Sequence, residues 1–365
     1  MKYLFYFGHP AQYLFLRETI KELSLSGRHQ ITILIKTKDV LEDLVRKDGF
    51  PYTNILPKNR GNSVFSIGLS FFKRIGLIIP IILQKRPDVL IGTDATIAQV
   101  GKLFGLDRIT ILEDDYNVIK KLADLTYPFT QVILCPEVCN VGAWEAKKVG
   151  YKGYMKLAYL HPSVFTADEQ ITRKYNLGGR YVLIRLVSLT AHHDFGIKGI
   201  SYDLVNQMIG SIEDNGYSVK ISTEAVTDPR LEKYLLRIDP SDMHHVLAQS
   251  ALLISDSQSM SVEAAMLGVP SIRYSDFAGK ISVLEELEHT YKLTFGLKTG
   301  NETKLISQLM ELIKQPDLKN LFQERRNKML SEKINVTRFL TWFLEQYPGS
   351  VEIMKADSKY QDTFL

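Results

Sequence analysis

Cysteine is scarce in this chain of 365 residues: Cys135 and Cys139 are its two thiols, in one Cys-Pro-Glu-Val-Cys segment. Two thiols with no histidine cluster beside them exclude a disulfide framework and a four-ligand zinc site, and no metal centre is expected. They read as ordinary thiols of a reducing compartment. A concentrated basic stripe is also missing. The 45 basic and 41 acidic residues are scattered and leave a formal charge of +4, so nucleic acid is not an expected partner. Long apolar runs are absent too. The longest, residues 75–83, follows Lys73-Arg74 and is interrupted by Pro80; it reaches roughly half of the ~20 residues that a spanning helix needs. The apolar run at the N-terminus is too short and too quickly broken for a signal peptide. There is no nucleotide-hydrolase P-loop and no Gly-x-Gly-x-x-Gly after the first β-rich run, which excludes ATPase and dinucleotide-dependent readings.

What the chain does have is alternation. Residues 3–7, 30–35, 52–56, 88–91, 108–112 and 131–134 read as strands, and amphipathic stretches at 12–26, 38–47, 64–84, 96–104 and 117–125 read as helices. Strands apolar on both faces and separated by helices call for a parallel sheet with right-handed crossovers. Around residues 158–179 the pattern breaks at Pro162 and Gly178-Gly179. A second series then begins, with strands at 181–186, 217–221, 251–254 and 271–274 and helices at 202–213, 229–237, 243–249 and 260–267. Three helical segments close the chain. The expected organisation is an N-terminal Rossmann-like domain over 1–165, a C-terminal one over 166–347 and a frayed tail over 348–365. Ligands in doubly wound sheets bind at strand carboxyl ends, so two such halves facing a central cleft suit a phosphorylated ligand.

The most informative segment runs from Leu253 to Pro270. A strand ends near Ile254, the polar residues Ser255, Asp256 and Ser257 fill the turn, and a helix starts near Ser259 and Met260. Free N–H groups and the positive dipole end there favour phosphate oxygens, and Glu263, about one turn on, can accept from a ribose diol. A second reading stays open. Ser257 and Ser259 serve as helix caps, and Glu263 is a surface acid that complements the dipole.

This segment resembles the nucleotide-binding signature of GT-B enzymes, above all that of hydrolysing UDP-N-acetylglucosamine 2-epimerases. The resemblance implies that Ser257 touches phosphate and Glu263 holds the ribose. The chain departs from the pattern with Gln258-Ser259 where the epimerases carry paired glycines. Over residues 2–330 it is also similar to a GT-B family of unassigned reaction, the domain of unknown function numbered 354 (DUF354). That likeness is carried by Arg86-Pro87-Asp88-Val89-Leu90-Ile91-Gly92, by Leu157-Ala158-Tyr159-Leu160-His161-Pro162, and by Ala191-His192-His193-Asp194-Phe195-Gly196-Ile197-Lys198-Gly199-Ile200.

The epimerase resemblance extends to further positions. Gly92-Thr93-Asp94-Ala95-Thr96 stands in the place of a Gly-Asp-Thr turn, which implies proton handling by Asp94. Leu112-Glu113-Asp114-Asp115 follows the next strand, which implies a catalytic role for Glu113. Alternatively Asp94 is a cap and Asp114-Asp115 a solvated turn. His192 and His193 fall where an epimerase histidine meets the diphosphate; capping or packing is the other reading, and only one of two adjacent rings is expected to face the ligand. Arg185 adds charge to the nucleotide side or joins a structural ion pair. His9, in Gly8-His9-Pro10-Ala11-Gln12, is a candidate general base for glycosyl transfer or a helix cap.

The expectation drawn from all this is a metal-independent glycosyltransferase that uses a nucleotide sugar, with UDP as the expected nucleotide, on a glycan or lipid-linked acceptor in surface polysaccharide biosynthesis. Two alternatives remain: an epimerase or hydrolase of UDP-N-acetylhexosamine, and a silent nucleotide-sugar-binding protein. No cofactor is expected beyond the donor. The expected place is the cytoplasm, with peripheral contact at the membrane's inner face left open by the apolar 64–84 region and the pI of about 8.7.

Overall fold

The computed structural model describes residues 1–38, 40–56, 64–186, 200–223 and 228–365, the stretch 64–72 by its backbone alone. The chain divides into two compact units: Met1–Tyr159 with Lys333–Leu365, and Leu160–Glu332.

The first unit opens with β1 (Lys2–Phe7), α1 (Pro10–Leu25), β2 (Gln30–Lys36), α2 (Leu41–Lys47), β3 (Tyr52–Leu56) and α3 (Val64–Lys85). It continues through β4 (Val89–Gly92), α4 (Ala95–Leu103), β5 (Asp107–Ile111), α5 (Lys120–Thr126), β6 (Val132–Pro136), β7 (Lys148–Tyr151) and α6 (Leu157–Leu160). Its seven strands are ordered β3-β2-β1-β4-β5-β6-β7 and pair in parallel. Central β1 is buried from Tyr3 to Phe7. Helices cover both faces of such a sheet, so the strand reads as a continuous apolar run. At the end of β4 the backbones approach closely: a Cβ on Gly92 would lie 2.9 Å from the Tyr6 carbonyl oxygen.

The second unit contains α7 (Glu169–Lys174), β8 (Tyr181–Leu186), α8 (Tyr202–Glu213), β9 (Ser218–Thr223), α9 (Met243–Gln249), β10 (Leu252–Ser255) and α10 (Gln258–Leu267). It ends with β11 (Ser271–Tyr274), α11 (Ser282–His289), β12 (Thr294–Leu297), α12 (Glu302–Lys314) and α13 (Leu318–Glu332). Its parallel sheet has the order β12-β11-β10-β8-β9.

Three features depart from the sequence expectation. Strands β7 and β12 each add an edge to a sheet, and at four residues apiece they are too short to show a pattern. Residues 229–237, expected as a helix, give only a 3-10 turn over Pro229–Tyr234. The chain end is the larger correction. Helices α14 (Val336–Glu345) and α15 (Gly349–Ala356) and a 3-10 turn at Ser358–Phe364 belong to the first unit, neither to the second nor to a frayed tail. The cause is the apolar face of α14, where Phe339, Leu340, Phe343 and Leu344 are fully buried. Hydrogen bonds from Thr337 Oγ1 to the Ala158 carbonyl (2.8 Å) and from Tyr3 Oη to the Leu344 carbonyl (2.7 Å) fix it there. Among the described residues no helix is long and apolar enough to cross a membrane.

Candidate functional site

In each sheet the strand order reverses at one point, and crevices at strand carboxyl ends form at such reversals. In the second unit the reversal lies at β8 and β10. Ser255, the last residue of β10, is fully buried, and its Oγ accepts from the Ser257 N–H at 2.8 Å. Ser257 then caps α10, accepting from the Met260 N–H at 3.3 Å. Capping is therefore the role the geometry gives Ser257. It settles one N–H of the first turn; those of Gln258 and Ser259 belong to the set that a helix leaves without intrahelical acceptors. The Asp256 N–H donates to the Arg185 carbonyl at 3.4 Å, tying the turn to β8. Arg185 Nη1 donates to Ser222 Oγ on β9 at 2.7 Å, so its guanidinium is braced across neighbouring strands. Met260 is buried below the turn.

Glu263 is not the surface acid of the alternative reading. It is only 7% exposed, and its Oε1 lies 3.4 Å from Nε2 of His244 on α9. The ring of Phe165 meets the His244 ring edge-on, and His245 accepts from the Asp168 N–H at 3.0 Å. Sequence reasoning missed His244, which is close to Glu263 only because α9 packs on α10. His192 and His193 lie outside the described residues, as do the other residues of the 191–199 segment.

In the first unit the reversal lies at β1 and β4. A small recess of about 210 Å³, open mouth included, sits at these strand ends, walled by Tyr6, Gln12, Gly92, Thr93, Ile111 and Met155 among others. His9 is exposed and caps α1: its Nδ1 accepts from the Ala11 N–H at 3.2 Å. A ring nitrogen that accepts an N–H carries no proton, so the neutral ring holds its hydrogen on Nε2. With Nδ1 engaged in the cap, the ring's proton sits on Nε2, whereas a general base needs that nitrogen bare.

Both candidate acids are engaged by cations. Asp94 caps α4, with Oδ1 accepting from the Thr96 N–H at 2.9 Å and Oδ2 2.6 Å from Nη1 of buried Arg74. Glu113 is buried; Oε1 accepts from the Met155 N–H at 2.6 Å and Oε2 from Lys156 Nζ at 2.7 Å. Glu113 thus holds the 155–156 turn, which forms one wall of the recess. Asp115 is likewise buried and accepts from the Asn140 N–H at 2.7 Å. Asp114 stands apart from its neighbours. It is open to solvent, yet lost hydration on its protein side raises its carboxyl above the usual range; Lys156 opposes the rise, and Glu113 and Asp115 reinforce it. Arg74 and Lys156 carried no local sequence signal that could have assigned them to these acids. Cys135 and Cys139 are buried free thiols, and Cys139 donates to the Glu113 carbonyl at 3.2 Å.

No family model and no curated protein matches the sequence. Solved structures do match its fold. A UDP co-structure of S. aureus MnaA aligns with a TM-score of 0.70 at 12% identity, over 96% of this chain and 97% of that one. UDP-GlcNAc 2-epimerase from Neisseria meningitidis, bound to UDP-GlcNAc, gives 0.70 at 14% identity, over 95% and 100%. The glycosyltransferase SsfS6 from Streptomyces sp. SF2575 gives 0.57 at 11% identity, over 95% and 100%. The fold is therefore that of GT-B proteins, with two Rossmann-like α/β units.

Proposed function

We propose that this protein is an enzyme of nucleotide-activated sugars, and specifically a metal-independent glycosyltransferase taking a UDP-linked donor to a glycan or lipid-linked acceptor. The observation that carries the reading is the turn after β10, where capped but unfilled helix N–H groups stand one turn ahead of a buried glutamate. The donor diphosphate sits against the first turn of α10, and Glu263 accepts from the ribose hydroxyls. As the glycosyl–phosphate bond breaks, charge grows on the departing phosphate oxygen, and the helix end opposes that charge without having to reorganise. By the epimerase resemblance His192 or His193 is the donor to the leaving phosphate, and Arg185 adds positive charge. In the N-terminal unit Asp114, on the turn after β5, takes the acceptor's proton. The motifs at residues 86–92 and 157–162 support the narrower likeness to DUF354.

A second reading, a 2-epimerase, is favoured by the higher TM-score to the Neisseria meningitidis epimerase, 0.70 against 0.57 to SsfS6. Against it, all four carboxylate oxygens of Asp94 and Glu113 already accept from backbone or cation.

The deciding experiment is proton NMR of the protein with UDP-GlcNAc in heavy water. Line broadening without deuterium at C2, and UDP release only once an acceptor is supplied, supports the transferase. Deuterium at C2, or free N-acetylmannosamine with UDP, establishes epimerase chemistry instead. An unperturbed spectrum with UDP itself removes the nucleotide-sugar reading.

A further inference from the structure

Gln258 is the first residue of α10 and stands where the epimerase signature has glycine. Its carboxamide is held from below. Arg273, on β11, is fully buried, and its Nη1 donates to Gln258 Oε1 at 2.9 Å. Nη2 lies 3.7 Å from Glu285 Oε1 and 3.6 Å from Glu288 Oε2, and neither Nη2 nor Nε makes a hydrogen bond. The space for this cation is built in: a Cβ on Gly296 would come within 2.6 Å of Nη2. A buried guanidinium with donors left over is a costly way to fill a core, where an apolar side chain of similar volume is often no less stable. Its presence directly beneath a helix start calls for a role beyond packing.

A guanidinium only donates, so the Gln258 atom facing it is the oxygen. The amide therefore cannot flip, and Nε2 is turned to the β10–α10 loop, where it donates to the Asp256 carbonyl at a long 3.3 Å. An amide NH₂ has a second hydrogen to give.

We infer that Gln258 is a phosphate-binding side chain: with Oε1 committed to Arg273, its Nε2 donates to a diphosphate oxygen at the first turn of α10. The inference rests on the nucleotide reading above and adds a donor to it. Glycines let a diphosphate approach the backbone; here a fixed side-chain amide reaches out to it. Arg273 is the positioning residue.

Gln258→Glu separates this role from a structural one. The carboxylate keeps an oxygen for Arg273, so folding is preserved, but it replaces the donor facing the diphosphate with a negative oxygen. The measurement is affinity of the full chain for UDP by calorimetry and for uridine by ligand-observed NMR, alongside a thermal melt. Expected is a loss of roughly 10- to 100-fold for UDP, with uridine affinity and melting midpoint unchanged. Arg273→Met, which frees the amide to rotate, should weaken UDP several-fold and again spare uridine. Wild-type UDP affinity in Gln258→Glu overturns the inference, as does an equal loss for UDP and uridine. A wild-type chain that binds no UDP overturns the nucleotide reading together with it.

Discussion

The two units treat charge at their strand ends in opposite ways. In the N-terminal unit the acids after β4 and β5 are matched internally, Asp94 by Arg74 and Glu113 by Lys156. In the C-terminal unit the turn after β10 carries hydroxyls and helix N–H groups, its acid Glu263 faces a histidine, and a cation lies beneath it. Neutralised acids make a scaffold: they lock the turns that wall the recess. A helix start with donors to spare suits an anionic ligand, because its remaining N–H groups are met by water until an acceptor displaces it. The same α/β architecture thus supports a rigid wall in one unit and, in the function proposed above, an anion seat in the other.

The comparison breaks most visibly at Lys156. Lys156→Met leaves Glu113 buried without its cation, and a denaturant titration should show a loss of about 3–5 kcal/mol, recovered largely by adding Glu113→Gln. An unchanged midpoint would show that Glu113 is not held as a scaffold acid. A smaller effect is expected for Asp94→Asn. Asparagine still caps α4 but gives Arg74 no charge, so stability should fall by about 1–3 kcal/mol. The receptor side is tested by Glu263→Gln. UDP affinity should drop roughly tenfold with little change in melting; a large stability loss at constant affinity would move Glu263 to the scaffold class. The smallest effect concerns Asp114. Its folded carboxyl is raised, so the folded state holds the proton to higher pH than the unfolded one. That stability is present at low pH and is lost as pH rises through the folded value. Asp114→Asn should therefore raise the melting midpoint at neutral pH and lose that advantage below about pH 4. A gain that persists into acid would point to a cause other than charge.

Much of the fold was legible because parallel strands buried on both faces announce themselves as apolar runs, and β1, β8 and β11 stand where those runs lie. The strand–turn–helix at Ser255–Glu263 was legible for a similar reason: serines before an apolar helix form a local cap, and Ser257 is that cap. The partners were not. Arg74, Lys156, His244 and Arg273 are 20, 43, 19 and 15 residues from the groups they engage. Nothing in a linear pattern says which distant cation will meet which acid. His9 shows the limit from the other side: its position at a strand end was readable, but the contact of its Nδ1 with the Ala11 N–H was not.

By itself the sequence determined the element types and their alternation, through hydrophobic period and caps, which act over a few residues. Tertiary structure alone decided that α14 and α15 return to the first unit, because an apolar helix face does not name the surface that will cover it. It also decided which acids are neutralised and which helix end is left open. Charge pairing acts over a few ångströms in space, and the fold is what brings those ångströms together.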